Sequence, residues 1–205
     1  MRYRRSVATR EEITTHHEPS TDYDPWIGGP PQPEPIAVVD YDERWPAEFE
    51  RVARTLRAAL GEAALAIEHV GSTSVRGLPA KPVLDIDLTV ADPKDEAAYV
   101  PALSNAGFVL CIREPDWHEH RCFRSDDPRT NLHVFGPGCP EVIRHRMFRQ
   151  WLLEHPEDRD LYRRAKLAAA AEISAKAAVI TGYNKRKEPM IREIYARMFR
   201  AHGLL

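Results

Sequence analysis

Residues 67–90 read Ile67-Glu-His-Val-Gly-Ser-Thr-Ser-Val-Arg-Gly-Leu-Pro-Ala-Lys-Pro-Val-Leu-Asp-Ile-Asp-Leu-Thr-Val90. An apolar run closes on Gly71-Ser72, a short loop follows, and a second apolar run carries Asp85 and Asp87 two positions apart. In an extended strand, side chains at i and i+2 share a face. The two aspartates therefore project together, while Leu84, Ile86 and Leu88 enter a core on the opposite side. Two carboxylates this close repel, so they call for a cation, a shared proton or full hydration. Magnesium (or manganese) with a nucleoside triphosphate meets that need, because it takes oxygens from one or two carboxylates plus substrate phosphates. Gly71 lets backbone N–H groups approach a phosphate, and the Ser72 hydroxyl can donate to one.

A Gly-Ser pair, a short spacer and Asp-x-Asp on a strand together resemble the layout of the nucleotidyltransferase superfamily. The wider stretch, His69-Val-Gly-Ser-Thr-Ser-Val-x-Gly-Leu-x-Ala-Lys-Pro-Val-Leu-Asp-Ile-Asp87, resembles the GrpB family, small proteins with a nucleotidyltransferase-like fold. Five further blocks agree in order: Tyr41-Asp-x-x-Trp45-Pro-x-x-Phe49, Glu119-His-Arg-x-Phe123, Asn131-Leu-His-Val, Phe148-Arg-x-Trp-Leu-x-x-His-Pro156, and Tyr183-Asn-x-x-Lys187 leading into Ile191-Arg-Glu. The likeness spans residues 36–200. It implies an α+β domain: a mixed, twisted sheet of about five strands backed by helices and closed by a C-terminal helical bundle.

Outward from residues 67–90, apolar positions Trp45, Phe49, Val52, Leu56 and Leu60 recur at helical spacing, and Gly61 can end that helix. A strand over 65–70 leads into the Gly-Ser loop, and a strand over 83–90 carries the acids. Asp92-Pro93 reads as N-cap and first helical residue of a helix over 93–106, stopped by Gly107. Short strands are expected near 107–112, 119–124 and 130–135, then helices over 139–154, 157–180 and 188–201. The charges at 157–166 read as a solvated helix face with i,i+4 pairs.

Residues 1–35 differ from the rest. They begin Met1-Arg-Tyr-Arg-Arg, are rich in Pro, Gly, Asp and Thr, and end Gly28-Gly-Pro-Pro-Gln-Pro-Glu-Pro35. With too little apolar content to offset ordering entropy, they read as a tail or linker ahead of a domain over 36–205. The alternative is an arm that docks Tyr23 and Trp26 on this protomer or a neighbour. The segment lacks the apolar core of a secretory signal.

The bulk composition excludes several classes. The 205 residues hold 29 basic against 31 acidic side chains, far from the footprint of a nucleic-acid binder, so a small-molecule acceptor and a nucleotide are the expected partners. No apolar stretch approaches the roughly 20 residues that cross a bilayer. Cys111, Cys122 and Cys139 have no metal-ligand spacing and are odd in number, as expected of reduced thiols in a cytoplasm.

Around the aspartates, further residues are candidates. Lys81, between Ala80 and Pro82, is either a solvated loop residue or a triphosphate contact. Arg76 is a weaker version of the same idea. In nucleotidyltransferases a later strand adds a third carboxylate; here that strand reads Thr130-Asn-Leu-His-Val-Phe135. Asn131 and His133 share a face, and His133 stands where the acid is expected, able to bind metal or accept a proton. On the preceding strand His120 and Cys122 alternate with Arg121 and Phe123, so only one pair faces a pocket. Arg121 could clamp phosphate with its planar fork, and His120 is a pocket candidate. Tyr183, Lys185 and Lys187 precede the expected last helix. A cation opposes the helix dipole there, which points to a compensating anion and to Lys187 on the phosphates. Ser72 could alternatively cap a short helix over 73–76.

These residues predict magnesium-dependent transfer of a nucleotidyl group, from ATP or another triphosphate, to a small acceptor. Asp85, Asp87 and His133 carry the chemistry, Gly71, Ser72, Lys81, Arg121 and Lys187 bind phosphate, and His120, Asn131 and Tyr183 line the pocket. Two other readings use the same site: a ligase that forms an acyl-adenylate on the way to an amide, and a nucleotide- or metabolite-binding module without catalysis.

Overall fold

The computed structural model describes residues 8–16, 23–30, 37–174 and 180–205. Five strands, β1 (Ala66–Val70), β2 (Leu84–Thr89), β3 (Val109–Glu114), β4 (His120–Asp126) and β5 (Arg129–Phe135), form one sheet in the order β1-β2-β5-β4-β3. Only the central pair β2–β5 is parallel. A parallel neighbour cannot be reached by a hairpin, and the chain between them supplies the crossover plus β3 and β4.

The helices are α1 (Arg10–Thr14), α2 (Trp45–Leu60), α3 (Val100–Asn105), α4 (Pro140–Glu154), α5 (Pro156–Ser174) and α6 (Ile180–Ala201). They divide between the two sheet faces. Leu84, Ile86 and Leu88 of β2, Phe123 of β4 and Leu132 and Val134 of β5 are essentially inaccessible to solvent. They pack against Val52, Leu56 and Leu60 of α2 and Leu103 of α3. Each such side chain contributes roughly 1.5–3 kcal/mol of burial, so the alternation of β2 pins its register and sends both aspartates to the other face. A second apolar cluster, including Trp151, Leu152, Tyr162, Ile194 and Phe199, joins α4, α5 and α6 into the C-terminal bundle.

Two helices differ from expectation. The helix over 93–106 is broken into a 3₁₀ turn at Glu96–Ala98 and the short α3. Pro101 explains the break: inside a continuous helix it would lack an N–H and clash with the preceding turn, whereas at the start of α3 it costs nothing. Asp92 accepts the Lys94 N–H in a turn instead of capping a helix. The last helix begins eight residues before 188, at Ile180, and carries Pro189 inside it on an exposed position.

Two described stretches of the N-terminal segment pack on the domain. Ile13 of α1 is buried in the second cluster, and Thr9 caps α1 through a reciprocal pair with Glu12. Residues 25–27 pair with the free edge of β3: the Ile27 N–H donates to the Cys111 carbonyl at 2.9 Å and the Arg113 N–H to the Pro25 carbonyl at 3.0 Å.

Candidate functional site

The second sheet face is the floor of a cavity of about 620 Å³, walled by residues of α4, α5 and α6. Pairing register places its side chains in rows across the strands. One row runs Glu68, Asp87, His133, Cys122 and Ile112 from β1 to β3, and continues onto Trp26 of the N-terminal arm. The neighbouring row is Val70, Asp85, Asn131 and Arg124.

Asp85 lies at the centre. Asn131 Nδ2 donates to its Oδ1 at 2.9 Å, and His133 Nε2 stands 3.9 Å from the same oxygen. Burial pushes the Asp85 carboxyl up, but His133 and Asn131 outweigh it and hold the group ionised below its ordinary value. Gly71 is pressed against this carboxylate: a Cβ there would sit 2.4 Å from Asp85 Oδ2, and its φ of +66° disfavours any other residue. The glycine therefore serves the approach of the loop to Asp85. Ser72 lines the cavity and does not cap the 3₁₀ turn at Ser72–Ser74, whose N-cap position is Gly71.

Asp87 shares the face of Asp85 but not its exposure. Only 1 % accessible, it is covered by His145 of α4, whose Nδ1 donates to Asp87 Oδ2 at 2.9 Å. His145 Nε2 is also 3.3 Å from Glu141. Burial works against the imidazolium, yet Asp87 and Glu141 raise the His145 pKa to about 10, so it is a cation at neutrality. Asp87 Oδ1 is buried with no hydrogen-bond partner among the described residues.

His133 takes part in a second polar chain. Glu114 Oε2 lies 2.7 Å from His120 Nδ1, and His120 Nε2 lies 3.0 Å from His133 Nδ1. A carboxylate only accepts, so His120 donates to it from Nδ1. Burial lowers the His120 pKa to about 4 against the pull of Glu114, which leaves Nε2 as an acceptor and assigns a proton to His133 Nδ1. Burial disfavours charge on His133 too, but Cys122 and Asp85 beside it reverse this and raise its pKa well above the ordinary value. That direction favours the imidazolium form of His133 beside Asp85.

Basic residues also line the cavity. Lys81, Lys166 and Lys187 line the cavity, as do Arg124 and Arg129. Lys166 of α5 is 1 % accessible and donates to the Pro79 carbonyl at 2.5 Å. Burial first, and then Lys187, lower its pKa to about 6. A smaller cavity of about 120 Å³ adjoins the first through Gly71, Ser72, Asp85, His145 and Lys187, and adds Arg149 and Tyr162.

Two expectations are corrected. Arg121 points to the opposite face from His120 and Cys122, where its Nε donates to Glu96 at 2.6 Å and its Nη1 to the Glu119 carbonyl at 2.9 Å. Only 5 % accessible, it fastens the 3₁₀ turn at Glu96 to β4 and does not reach the cavity. Lys187 does line the cavity, but from inside α6, so no helix-start dipole argues for its anion. Lys81, His120 and Asn131 line the cavity as expected; the Tyr183 side chain lies outside the described residues.

The GrpB protein family model matches residues 35–197. The chain belongs to the GrpB family. A UPF0157 protein of Halalkalibacterium halodurans is 46% identical over 162 residues, covering 79% of this chain and 82% of the relative. Another from Streptomyces coelicolor is 42% identical over 142 residues, covering 69% and 74%. A dephospho-CoA kinase of Mycolicibacterium paratuberculosis is 32% identical, with 80% of this chain matching 46% of that protein. The crystal structure of the conserved protein GrpB from Enterococcus faecalis superposes with a TM-score of 0.71 at 26% identity, over 82% of this chain and 99% of that one.

Within this GrpB domain, sequence reasoning missed His145, Glu114, Arg124 and Lys166. Lys166 left a trace: a lone charge in Ala165-Lys-Leu-Ala-Ala-Ala-Ala171 sits among residues that helices bury. Asp158, also read as solvated, is buried and accepts from Trp151 Nε1 at 2.7 Å and from Arg197. His145 left none, because its partner Asp87 is 58 positions away.

Proposed function

We propose that this GrpB protein binds a nucleoside triphosphate with magnesium and transfers its nucleotidyl group to a small acceptor. One observation carries the reading: an ionised Asp85 at the centre of a cavity that Lys81 and Lys187 also line. A carboxylate and cations in the lining of one cavity suit a ligand that brings both a divalent cation and phosphates. The volume is within the range of small-molecule sites. The family's nucleotidyltransferase-like fold and relatives named dephospho-CoA kinase are in keeping with a nucleotide-related role.

No group of three or more His, Cys, Asp or Glu side chains among the described residues is arranged to hold a metal ion. Magnesium needs fewer, since it keeps waters and takes substrate phosphates. Asp85 and the unpartnered Asp87 Oδ1 would hold it, and it would neutralise charge on the triphosphate. The chain itself supplies the rest. Ser72 donates from the loop, Lys81 and Lys187 offset phosphate charge, and His133 beside Asp85 keeps that carboxylate ionised. The smaller cavity, reached across Asp85, offers the acceptor a site bearing Arg149.

A second reading, a nucleotide-binding module without turnover, is favoured by His133 standing opposite Asp87 in the register, where a third carboxylate is expected. Thermal shift tests nucleotide binding, and product analysis separates the two readings. A ligand at 100 times its dissociation constant adds about 2.7 kcal/mol to the folded state. Wild-type protein should shift with at least one triphosphate plus magnesium and less with triphosphate alone. Asp85→Asn should keep its melting temperature without ligand and lose the magnesium-dependent part of the shift. No shift with any nucleotide refutes the proposal; a shift without nucleotidylated product selects the binding module.

A further inference from the structure

The family model begins at residue 35, yet one wall of the cavity comes from before it. Trp26 lines the cavity, together with Arg124 of β4. Its position is determined by backbone pairing. Trp26 bridges to Ile112, which pairs with Cys122, which pairs with His133. Partners across a sheet share a face, so the indole stands on the same face as the Asp85 and His133 side chains. Two hydrogen bonds to Cys111 and Arg113 hold the arm there. The Asp24 carboxylate accepts the Trp26 N–H at 3.0 Å and closes the local turn. The Arg124 guanidinium lies over the indole, 5.2 Å from the ring centre.

Covering the edge of β3 would require only the backbone of such an arm. It would not require a large aromatic side chain on the cavity side, half-exposed and beside an arginine. From the arm to β2 are four strand steps, about 19 Å at ~4.8 Å each. The indole and Asp85 are thus too far apart to touch the same atoms, and spaced for the two ends of one elongated ligand. One end carries phosphates; the other meets an aromatic face and a guanidinium, which together recognise planar rings.

We propose that the arm completes the binding site, with Trp26 as the stacking platform for the nucleobase of the nucleotide whose phosphates face Asp85. This rests on the nucleotide reading above. The site would then be built from two parts: a phosphate end within the family domain, and a base end supplied by a segment outside it.

Calorimetric titration of wild type, Trp26→Ala, Trp26→Phe and Asp85→Asn with magnesium ATP and with magnesium tripolyphosphate tests this. Tripolyphosphate has the phosphates without a base. Trp26→Ala should bind ATP about 5- to 150-fold more weakly, the range of a lost base–aromatic stack. Its affinity for tripolyphosphate should stay within about twofold of wild type, and Trp26→Phe should recover most of the ATP affinity because a ring still stacks. Equal ATP affinity in Trp26→Ala and wild type overturns the platform, and so does equal weakening toward both ligands, which would make the arm an edge cover. Both results leave the nucleotide reading standing if Asp85→Asn weakens ATP. Wild-type protein that binds no ATP removes that reading and the platform with it. Trp26 and Trp117 both line the cavity, so the part of the ATP quench that Trp26→Phe removes reports the stack.

Discussion

Asp85 and Asp87 are two positions apart on one strand face, and strand alternation alone assigns them a shared role. Their surroundings divide them. Asp85 opens onto the cavity with its side chain 34% accessible, while Asp87 is under His145 at 1%. The shared face was legible, because Leu84, Ile86 and Leu88 fix the period. The difference was not, because it is made by α4, a helix whose docking no local pattern encodes. The two asparagine variants should therefore behave differently. Asp85→Asn removes a charge whose side chain is 34% accessible and keeps an acceptor oxygen for Asn131, so the unliganded fold should hold. Asp87→Asn keeps an acceptor oxygen but removes the charge from a charge-assisted bond, and leaves Glu141 as the one carboxylate against the half-buried His145 cation. It should lose about 1.5–3 kcal/mol even without ligand, read as a lower midpoint in urea denaturation at pH 7. Equal stability of Asp87→Asn and wild type would mean that the His145 pair contributes nothing.

At the scale of elements, alternation on β4 separates pocket from scaffold. His120, Cys122 and Arg124 face the cavity; Arg121 and Phe123 face the α2–α3 layer. A charged residue among buried positions reads as functional in sequence, and only the partner distinguishes structure from binding. That partner, Glu96, lies in the 3₁₀ turn created when Pro101 interrupts the expected helix, so the role of Arg121 and the end of that helix were obscured by one cause. Arg113 joins the same carboxylate at 2.6 Å, and both arginines hold the Glu96 pKa near 2 against burial. Arg121→Met should cost about 3 kcal/mol, at the low end for breaking a buried pair because Arg113 still serves Glu96. The same variant should leave nucleotide affinity unchanged per folded molecule. A selective loss of nucleotide binding with unaltered stability would return Arg121 to the phosphates. The sheet, α2 and the helical bundle were legible because each repeats its period many times. For the N-terminal segment the sequence left a tail and a docked arm both open, and composition could not decide between them, because few contacts suffice where a ready sheet edge supplies hydrogen bonds to residues 25–27.

Across the whole molecule, the buried ionisable groups set how stability follows pH. His69 and His120 are both held near pKa 4, mainly by burial. His69 stacks on Phe49 of α2 and His120 on Phe135 of β5, so the two report on opposite faces of the sheet. Between pH 6.5 and 4 the unfolded chain binds these two protons and the folded chain does not. Stability then rises with pH and falls as the solution is acidified through this window, by up to about 1.4 kcal/mol per pH unit for each group. Below about 4.5, Glu96 and Glu141, both held near 2, add to the loss. The alkaline side is governed by groups of opposite sign. His145, raised to about 10, and His133, also raised, contribute stability that is complete below 6.5 and lost as pH climbs through their folded values. Lys166 does the reverse: its folded pKa of about 6 against an ordinary 10.5 makes stability grow with pH between those values. The curve should thus be steep on the acid side of pH 6.5 and shallow above pH 7, where the terms oppose. Denaturant midpoints from pH 4.5 to 9.5 measure it. His69→Gln with His120→Asn should flatten the acid limb down to about pH 4.5 while lowering stability at pH 7, and Lys166→Met should steepen the alkaline limb by removing the one term that gains there. An acid limb equally steep in the double histidine variant would place the acid sensitivity in the carboxylates alone, and the two imidazoles would then be protonating without cost on both faces of the sheet.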